Sequence, residues 1–251
     1  MIRFAGRGIL LDIEGTTSST HFVYETLFPF AQSELGNFLR GHWGQPEVDR
    51  ALDALAADGG LPSRAAWLGK LDRDAAIESV RDLVDKLMEA DAKLTGLKQM
   101  QGLVWREGYR KGLLKSHVYD DVPPALERWT KAGLDLRIFS SGSVVAQTQF
   151  FEHTELGDLE RYFKGHYDTT TGPKRVADSY RAIAADFKLP EAEILFLSDV
   201  VAELDAARSA GMPTALVVRH ENAPIPDKHQ HAVIEAFDEI KLTAPQDRKH
   251  G

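Results

Sequence analysis

The chain of 251 residues contains no cysteine. That excludes disulfides, iron–sulfur clusters, thiolate zinc sites and a cysteine nucleophile. A reducing compartment suits such a chain, and the cytoplasm is the expected location. Long apolar runs are also missing. Nothing approaches the roughly 20 residues that a spanning helix needs. The first apolar run, Ile9-Leu10-Leu11, stops at Asp12 and is too short for a secretory signal. Blocks of one charge sign are absent as well, with 30 Lys and Arg against 38 Asp and Glu, a formal net charge of −8. Without a basic stripe or a polybasic cluster, neither a nucleic-acid partner nor a membrane partner is expected. There is no internal repeat and no low-complexity linker. What remains is 43% hydrophobic and 27% charged, the make-up of an ordinary globular protein with a deep core.

The pattern type changes along the chain. Gly8-Ile9-Leu10-Leu11-Asp12 reads as a buried strand whose carboxyl end opens on an acid. Residues 18 to 117 read as almost entirely helical, with Ile77, Val80, Val84 and Leu87 at spacings of 3, 4 and 3 behind Asp72 and Asp74. Leu97, Met100, Val104 and Trp105 continue a similar stripe. From Tyr119 onwards, helices and strands alternate. Helices are predicted over 124–131, 144–151, 178–187 and 202–210, and strands over 134–139, 194–197 and 214–218. Such alternation implies a doubly wound parallel sheet with helices on both faces. The expected fold is therefore an α/β core, residues 1–17 plus 119–251, interrupted by a helical cap over 18–118.

Three of those strands end in polar groups, Asp12, Ser140 and Asp199. Carboxyl ends of parallel strands share one edge, where ligands bind, so these distant residues are expected in one cleft. A lone Asp after an apolar run can simply cap a turn; two acids and a hydroxyl on successive strand ends favour a site. In Asp12-Ile13-Glu14-Gly15-Thr16-Thr17 two carboxylates can approach one cleft if Gly15 lets the chain turn. A hard divalent cation such as magnesium wants oxygen donors and takes few from protein. A carboxylate there could attack phosphorus, or the stretch could be a plain metal-binding loop; composition does not separate the two. Ser140-Ser141-Gly142-Ser143 lies between a strand and a helix, where hydroxyls and helix N–H groups suit a phosphate oxygen, or where a serine is an ordinary N-cap. Lys174 follows a Gly-Pro turn and in isolation reads as a surface charge. Gly6-Arg7-Gly8 precedes its strand and is no dinucleotide fingerprint. His220, His229 and His231 lack the helical spacing of a zinc site and are expected to be solvated. Trp105 and Tyr109 read as a packing pair.

Taken in order, these motifs resemble the haloacid dehalogenase superfamily, and within it the enolase-phosphatases (acireductone synthases) of methionine salvage. The resemblance rests on Asp12-Ile13-Glu14-Gly15-Thr16-Thr17, Leu27-Phe28-Pro29, Leu97-Lys98-Gln99-Met100-Gln101-Gly102 with Trp105, and Ser140-Ser141-Gly142-Ser143. It continues through Gly165-His166-Tyr167-Asp168-Thr169, Lys174 with Ser179-Tyr180, and Leu195-Phe196-Leu197-Ser198-Asp199-Val200.

The resemblance implies that Asp12 is the nucleophile and a metal ligand. Glu14 would be the general acid/base and lend its backbone carbonyl to the metal, where most of the superfamily has Asp. Ser140 and Ser141 would bind the substrate phosphate, Lys174 would bind the same charge and take part in catalysis, and Asp199 would complete the metal shell. Glu203, the one nearby candidate for a further acid, is left out of that shell. One Mg2+ per subunit and a monomeric enzyme are implied. The implied reaction enolises 2,3-diketo-5-methylthiopentyl-1-phosphate and then removes its phosphate through an aspartyl-phosphate. Phe22, Tyr24 and Trp105 are apolar candidates for the methylthio tail. Two other readings are a magnesium phosphatase without enolase activity and a non-catalytic phosphate-sensing module.

Overall fold

The computed structural model describes residues 1–90, 92, 94–225 and 228–243. They divide into two compact units, residues 1–22 with 115–251, and residues 23–114.

Among the described residues the first unit carries eight strands: β1 (Ile2–Phe4), β2 (Gly8–Leu11), β3 (Asp135–Phe139), β4 (Gly165–Tyr167), β5 (Ile194–Ser198), β6 (Thr214–Val217), β7 (Ala232–Ile234) and β8 (Ile240–Leu242). Six form one parallel sheet in the order β4-β3-β2-β5-β6-β7, and β1 pairs with β8 beside it. The strand order steps outward from β2 to β4, then returns to the other side of β2 with β5. That reversal is the topological switch point of a doubly wound sheet, where a crevice opens at the strand carboxyl ends. Register makes the edge sharp. Leu11 lies opposite both Ile138 and Leu197, so Asp12 comes level with the ends of β3 and β5.

All four residues of β2 and all five of β5 are buried. Burial on both faces is why these strands read as continuous apolar runs rather than alternating ones. The unit's helices are α1 (Thr20–Phe22), with α7 (Val122–Lys131), α8 (Val144–Glu152), α9 (Ala177–Phe187) and α10 (Val201–Ser209) following the helices of the second unit. On one face Leu10, Phe139, Phe196 and Leu216 pack with Tyr180, Ile183 and Phe187 of α9 and Leu204 of α10. Helix α7, with Leu126 and Trp129 buried, packs against β3.

The second unit is helical: a π-helical turn over Val23–Leu27, then α2 (Phe28–His42), α3 (Pro46–Asp58), α4 (Arg64–Leu68), α5 (Arg73–Glu89) and α6 (Thr95–Arg110). Asp72 caps α5 by accepting from Ala75 N at 2.9 Å, and Ile77, Val80 and Val84 enter a core with Leu35, Leu39, Leu52, Leu55, Met100 and Val104. Helices α3 and α6 touch backbone to backbone. A Cβ on Gly96 would fall 2.3 Å from Leu55 N and 2.4 Å from the Ala54 carbonyl carbon, with no side chain able to yield. Gly96→Val is therefore expected to destabilise the protein by about 1–3 kcal/mol, read as a lower urea midpoint; an unchanged midpoint would show that the helices part without cost.

Strands β1, β4, β7 and β8 were not expected from the sequence. Each has three residues, too few to display a period of two.

Candidate active site

Asp12 leaves β2 with 4% of its surface exposed. Its Oδ1 accepts from Ile13 N at 2.8 Å and lies 2.8 Å from Lys174 Nζ, and its Oδ2 accepts from Ser198 Oγ at 3.3 Å. The same ammonium lies 2.7 Å from Glu203 Oε2, which also accepts from Ser198 Oγ at 3.2 Å. One cation and one hydroxyl thus tie two carboxylates together. Lys174 is no solvated surface charge. Tyr180 donates to its carbonyl at 2.7 Å and Ser179 to that of Pro173 at 2.8 Å, so the first turn of α9 holds the loop that presents it.

Burial alone would lower the pKa of the Lys174 ammonium, but the charges of Asp12 and Glu203 outweigh it and raise it. Asp199, half-buried, is pushed up to about 7 by desolvation and then by the Asp12 charge. Glu203 is pushed up to about 7 by burial and then by Asp12. Three acids around a single lysine form a site short of positive charge.

The loop after Asp12 turns sharply. Thr16, Thr17 and Ser18 all donate their N–H to Ile13 O at 3.0–3.2 Å, and Thr17 Oγ1 donates to Asp12 O at 3.2 Å. Gly15 has φ of +70°, and a Cβ there would sit 2.3 Å from Asp199 Oδ2. Glycine is needed for both the turn and the approach of Asp199. Glu14 is on the exposed side of this turn. The loop is clamped from behind: Arg219 donates to Thr16 O at 3.0 and 2.9 Å and pairs with Asp121 at 3.0 Å, while Asn222 Nδ2 donates to Gly15 O at 2.9 Å.

At the end of β3, Ser140 is buried, with its Oγ 3.4 Å from Gly142 N as acceptor, and Ser141 is exposed. Ser143 is the N-cap of α8 and accepts from Ala146 N at 3.3 Å. The N-cap reading is correct for Ser143, which leaves Ser140 and Ser141 in the loop before the helix.

A divalent cation fits this chemistry. Among the described residues no group of three or more His, Cys, Asp or Glu side chains forms a ready metal cage. The oxygen donors at hand are the carboxylates of Asp12 and Asp199 with main-chain carbonyls of the turn. Magnesium accepts so sparse a set because it keeps most of its waters.

Several contacts at the site carried no signal in the sequence. Ser198 looked like a strand end, and Glu203 stood aside from the metal; the contacts of Glu203 run to Lys174 and Ser198. Arg219, Asp121 and Asn222 act on main-chain atoms, which no motif displays. His231 corrects an expectation: it is buried, with Nε2 3.0 Å from Asp205 Oδ1 and Nδ1 2.7 Å from Thr214 Oγ1. Its hydrogen bonds allow the burial that solvation would otherwise forbid. Trp105 stacks on Phe28 and donates to Leu27 O at 2.8 Å, while Phe22 meets Phe150 edge-on and Tyr24 is exposed.

A family model for haloacid dehalogenase-like hydrolases matches residues 7–211. The chain belongs to that family. It is 48% identical to "Enolase-phosphatase E1" of Pseudomonas aeruginosa over 213 residues, 85% of this chain and 90% of that protein. It is 45% identical to a protein of the same name from Sorangium cellulosum over 240 residues, covering 96% and 99% of the two chains. Among solved structures, the UTR4 protein of Saccharomyces cerevisiae superposes with a TM-score of 0.74 at 32% identity, covering 93% of this chain and 99% of that one. A haloacid-dehalogenase-type hydrolase of Bacillus subtilis, YfnB, shares the fold with a TM-score of 0.56 at 14% identity.

Proposed function

We propose that this haloacid dehalogenase-like hydrolase is a bifunctional enolase-phosphatase. It enolises 2,3-diketo-5-methylthiopentyl-1-phosphate and then hydrolyses the phosphate ester to give the acireductone of methionine salvage. The observation that carries the reading is the Asp12 carboxylate, buried at the switch point of the sheet between Lys174 and Ser198, in a chain nearly half identical to enolase-phosphatases over most of its length.

In this reading the carboxylate of Asp12 attacks phosphorus, and the bond to the leaving oxygen breaks as an aspartyl-phosphate forms. Lys174 pairs with Asp12 and supplies a fixed positive charge where the phosphoryl oxygens gather. Ser140 and Ser141, with the N–H groups of their loop, hold those oxygens. Glu14 protonates the leaving oxygen and afterwards takes a proton from the water that cleaves the acyl phosphate. Asp12, Asp199 and the Glu14 carbonyl would hold one magnesium ion, which supplies charge neutralisation for phosphoryl transfer and carbonyl polarisation for enolisation. Glu203 holds Lys174 rather than the metal.

The reading takes residues 1–17 with 119–251 as the catalytic core and 18–118 as its cap, acting as a monomer in the cytoplasm on a small-molecule substrate. Among the described residues no helix is long and apolar enough to cross a membrane. Incubating the protein with the diketone phosphate should yield acireductone and phosphate with magnesium and neither product with a chelator. Phosphate release in excess chelator would remove the metal from the scheme, and faster turnover of simple sugar phosphates would favour a phosphatase without enolase activity.

Asp199→Asn should raise the magnesium concentration at half-maximal rate by about 10-fold or more, because a hard cation loses an anionic ligand. The KM for substrate at saturating magnesium should move far less. An unchanged magnesium titration would take Asp199 out of the metal shell.

A further inference from the structure

Behind the serine loop lies a chain of polar side chains that neither step of the proposed reaction uses. Gln147, on the first turn of α8, is 2% exposed. Its Nε2 donates to three main-chain carbonyls, Gly142 O at 2.7 Å, Tyr167 O at 2.9 Å and, more weakly, Ser140 O at 3.5 Å. Three carbonyl neighbours fix the amide orientation, since an oxygen there would repel all of them. Gln147 Oε1 therefore faces His166 Nδ1, at 3.1 Å, and His166 Nε2 lies 2.9 Å from Glu160 Oε1.

Donor counting sets the direction of these hydrogen bonds. Gln147 Oε1 can only accept, so His166 Nδ1 carries a proton. The contact of Nε2 with a carboxylate oxygen is a hydrogen bond only if another proton lies between them. The His166 ring also meets the rings of Phe151 and Phe163. Glu160 Oε2 is buried without a hydrogen-bond partner, so His166 is the group that compensates this carboxylate.

The effect reaches the loop through peptide geometry. A planar trans peptide points its N–H opposite its carbonyl. With the carbonyls of Ser140 and Gly142 drawn towards Gln147, the N–H groups of Ser141 and Ser143 are turned the other way. Outward-facing N–H groups on a loop that opens a helix are what an anionic oxygen needs.

We infer that Glu160, His166 and Gln147 form a hydrogen-bonded relay that orients the serine loop for phosphate, which makes all three positioning residues for the phosphate-binding step. The inference rests on the reading of Ser140-Ser141-Gly142-Ser143 as the phosphate loop.

The relay is tested with inorganic phosphate and the diketone phosphate on the full chain loaded with magnesium. Gln147→Glu keeps the shape and removes the donor. It should raise the inhibition constant of phosphate and the KM together by about 10-fold or more, the worth of one hydrogen bond to a charged group. The magnesium concentration at half-maximal rate should stay within about 2-fold, since no metal ligand changes. Glu160→Leu should show the same paired rise. Glu160→Gln should recover most of that loss, because its amide N–H donates to His166 Nε2 while Nδ1 still donates to Gln147. A packing role alone would lower the melting temperature without the paired rise, and Gln would then rescue no better than Leu. Nitrogen-15 NMR of the unsubstituted protein, needing no variant, should show a proton on Nδ1 of His166, the nitrogen that donates to Gln147. A ring without a proton on Nδ1, or unchanged phosphate inhibition in Gln147→Glu, would overturn the relay. If the unsubstituted chain binds phosphate yet turns over no diketone phosphate, the proposed function fails while the relay is still measured.

Discussion

Asp12→Asn abolishes phosphate release and leaves the fold intact: that is the expected result with the largest effect. The amide fills the same volume at the end of β2 and still accepts from Ile13 N, but it is too weak a nucleophile for attack on phosphorus. Lys174 loses one carboxylate and keeps the other, Glu203 at 2.7 Å, so its buried charge stays paired. Phosphate release should fall by a factor on the order of 10⁴ or more, as when other catalytic nucleophiles are removed. Circular dichroism and the melting temperature should stay close to those of the unsubstituted chain. A purified Asn variant that released phosphate at nearly the original rate would show that Asp12 is not the nucleophile.

Glu14→Gln should separate the two chemical steps. Its carbonyl, the part assigned to the metal, is unchanged by the substitution, so magnesium binding should be nearly retained. Phosphate release should drop by a factor on the order of 10²–10⁴, because the leaving oxygen loses its proton donor and the attacking water its base. Enolisation draws on a polarised carbonyl and a base to which no residue is assigned, so with Glu14 acting only in the phosphate step it should survive. The phosphorylated enol then accumulates, seen as a new ultraviolet absorbance without matching phosphate release. Loss of both steps with magnesium still bound would make Glu14 the enolisation base as well; no change in either would end its assignment as acid/base.

The central strands were legible because burial on both faces demands continuous apolar residues, and Gly8–Leu11 and Ile194–Leu197 have little else. Helix α5 was legible through Asp72 and the spacing of Ile77, Val80 and Val84. The short strands were not, since Gly165–Tyr167 gains its identity from pairing with β3 rather than from its own pattern. At the site, Asp12 and Asp199 stood out as acids closing apolar runs. Glu203 entered only through the resemblance, as an acid left out of the metal shell, because an acid in the first turn of a helix is ordinarily there for the helix dipole. His166 and Gln147 gave no sign of acting together, being 19 residues apart on a strand and a helix.

The sequence by itself determined the class of fold and the chemistry available to it. Apolar period and length decide which segments are buried strands, and an acid that closes such a strand marks the sheet edge where a ligand can bind. It also carried the family, through motifs whose order survives any folding argument. Only the tertiary structure decided which polar groups hold one another. Lys174 reads as a surface charge until the first turn of α9 swings it between Asp12 and Glu203, where burial makes a lone charge intolerable and a paired one stable. Hydrogen bonds are directional and short, so partners such as Arg219 with Thr16 O, or Gln147 with the carbonyls of the serine loop, exist only once the chain has brought those atoms within about 3 Å of each other.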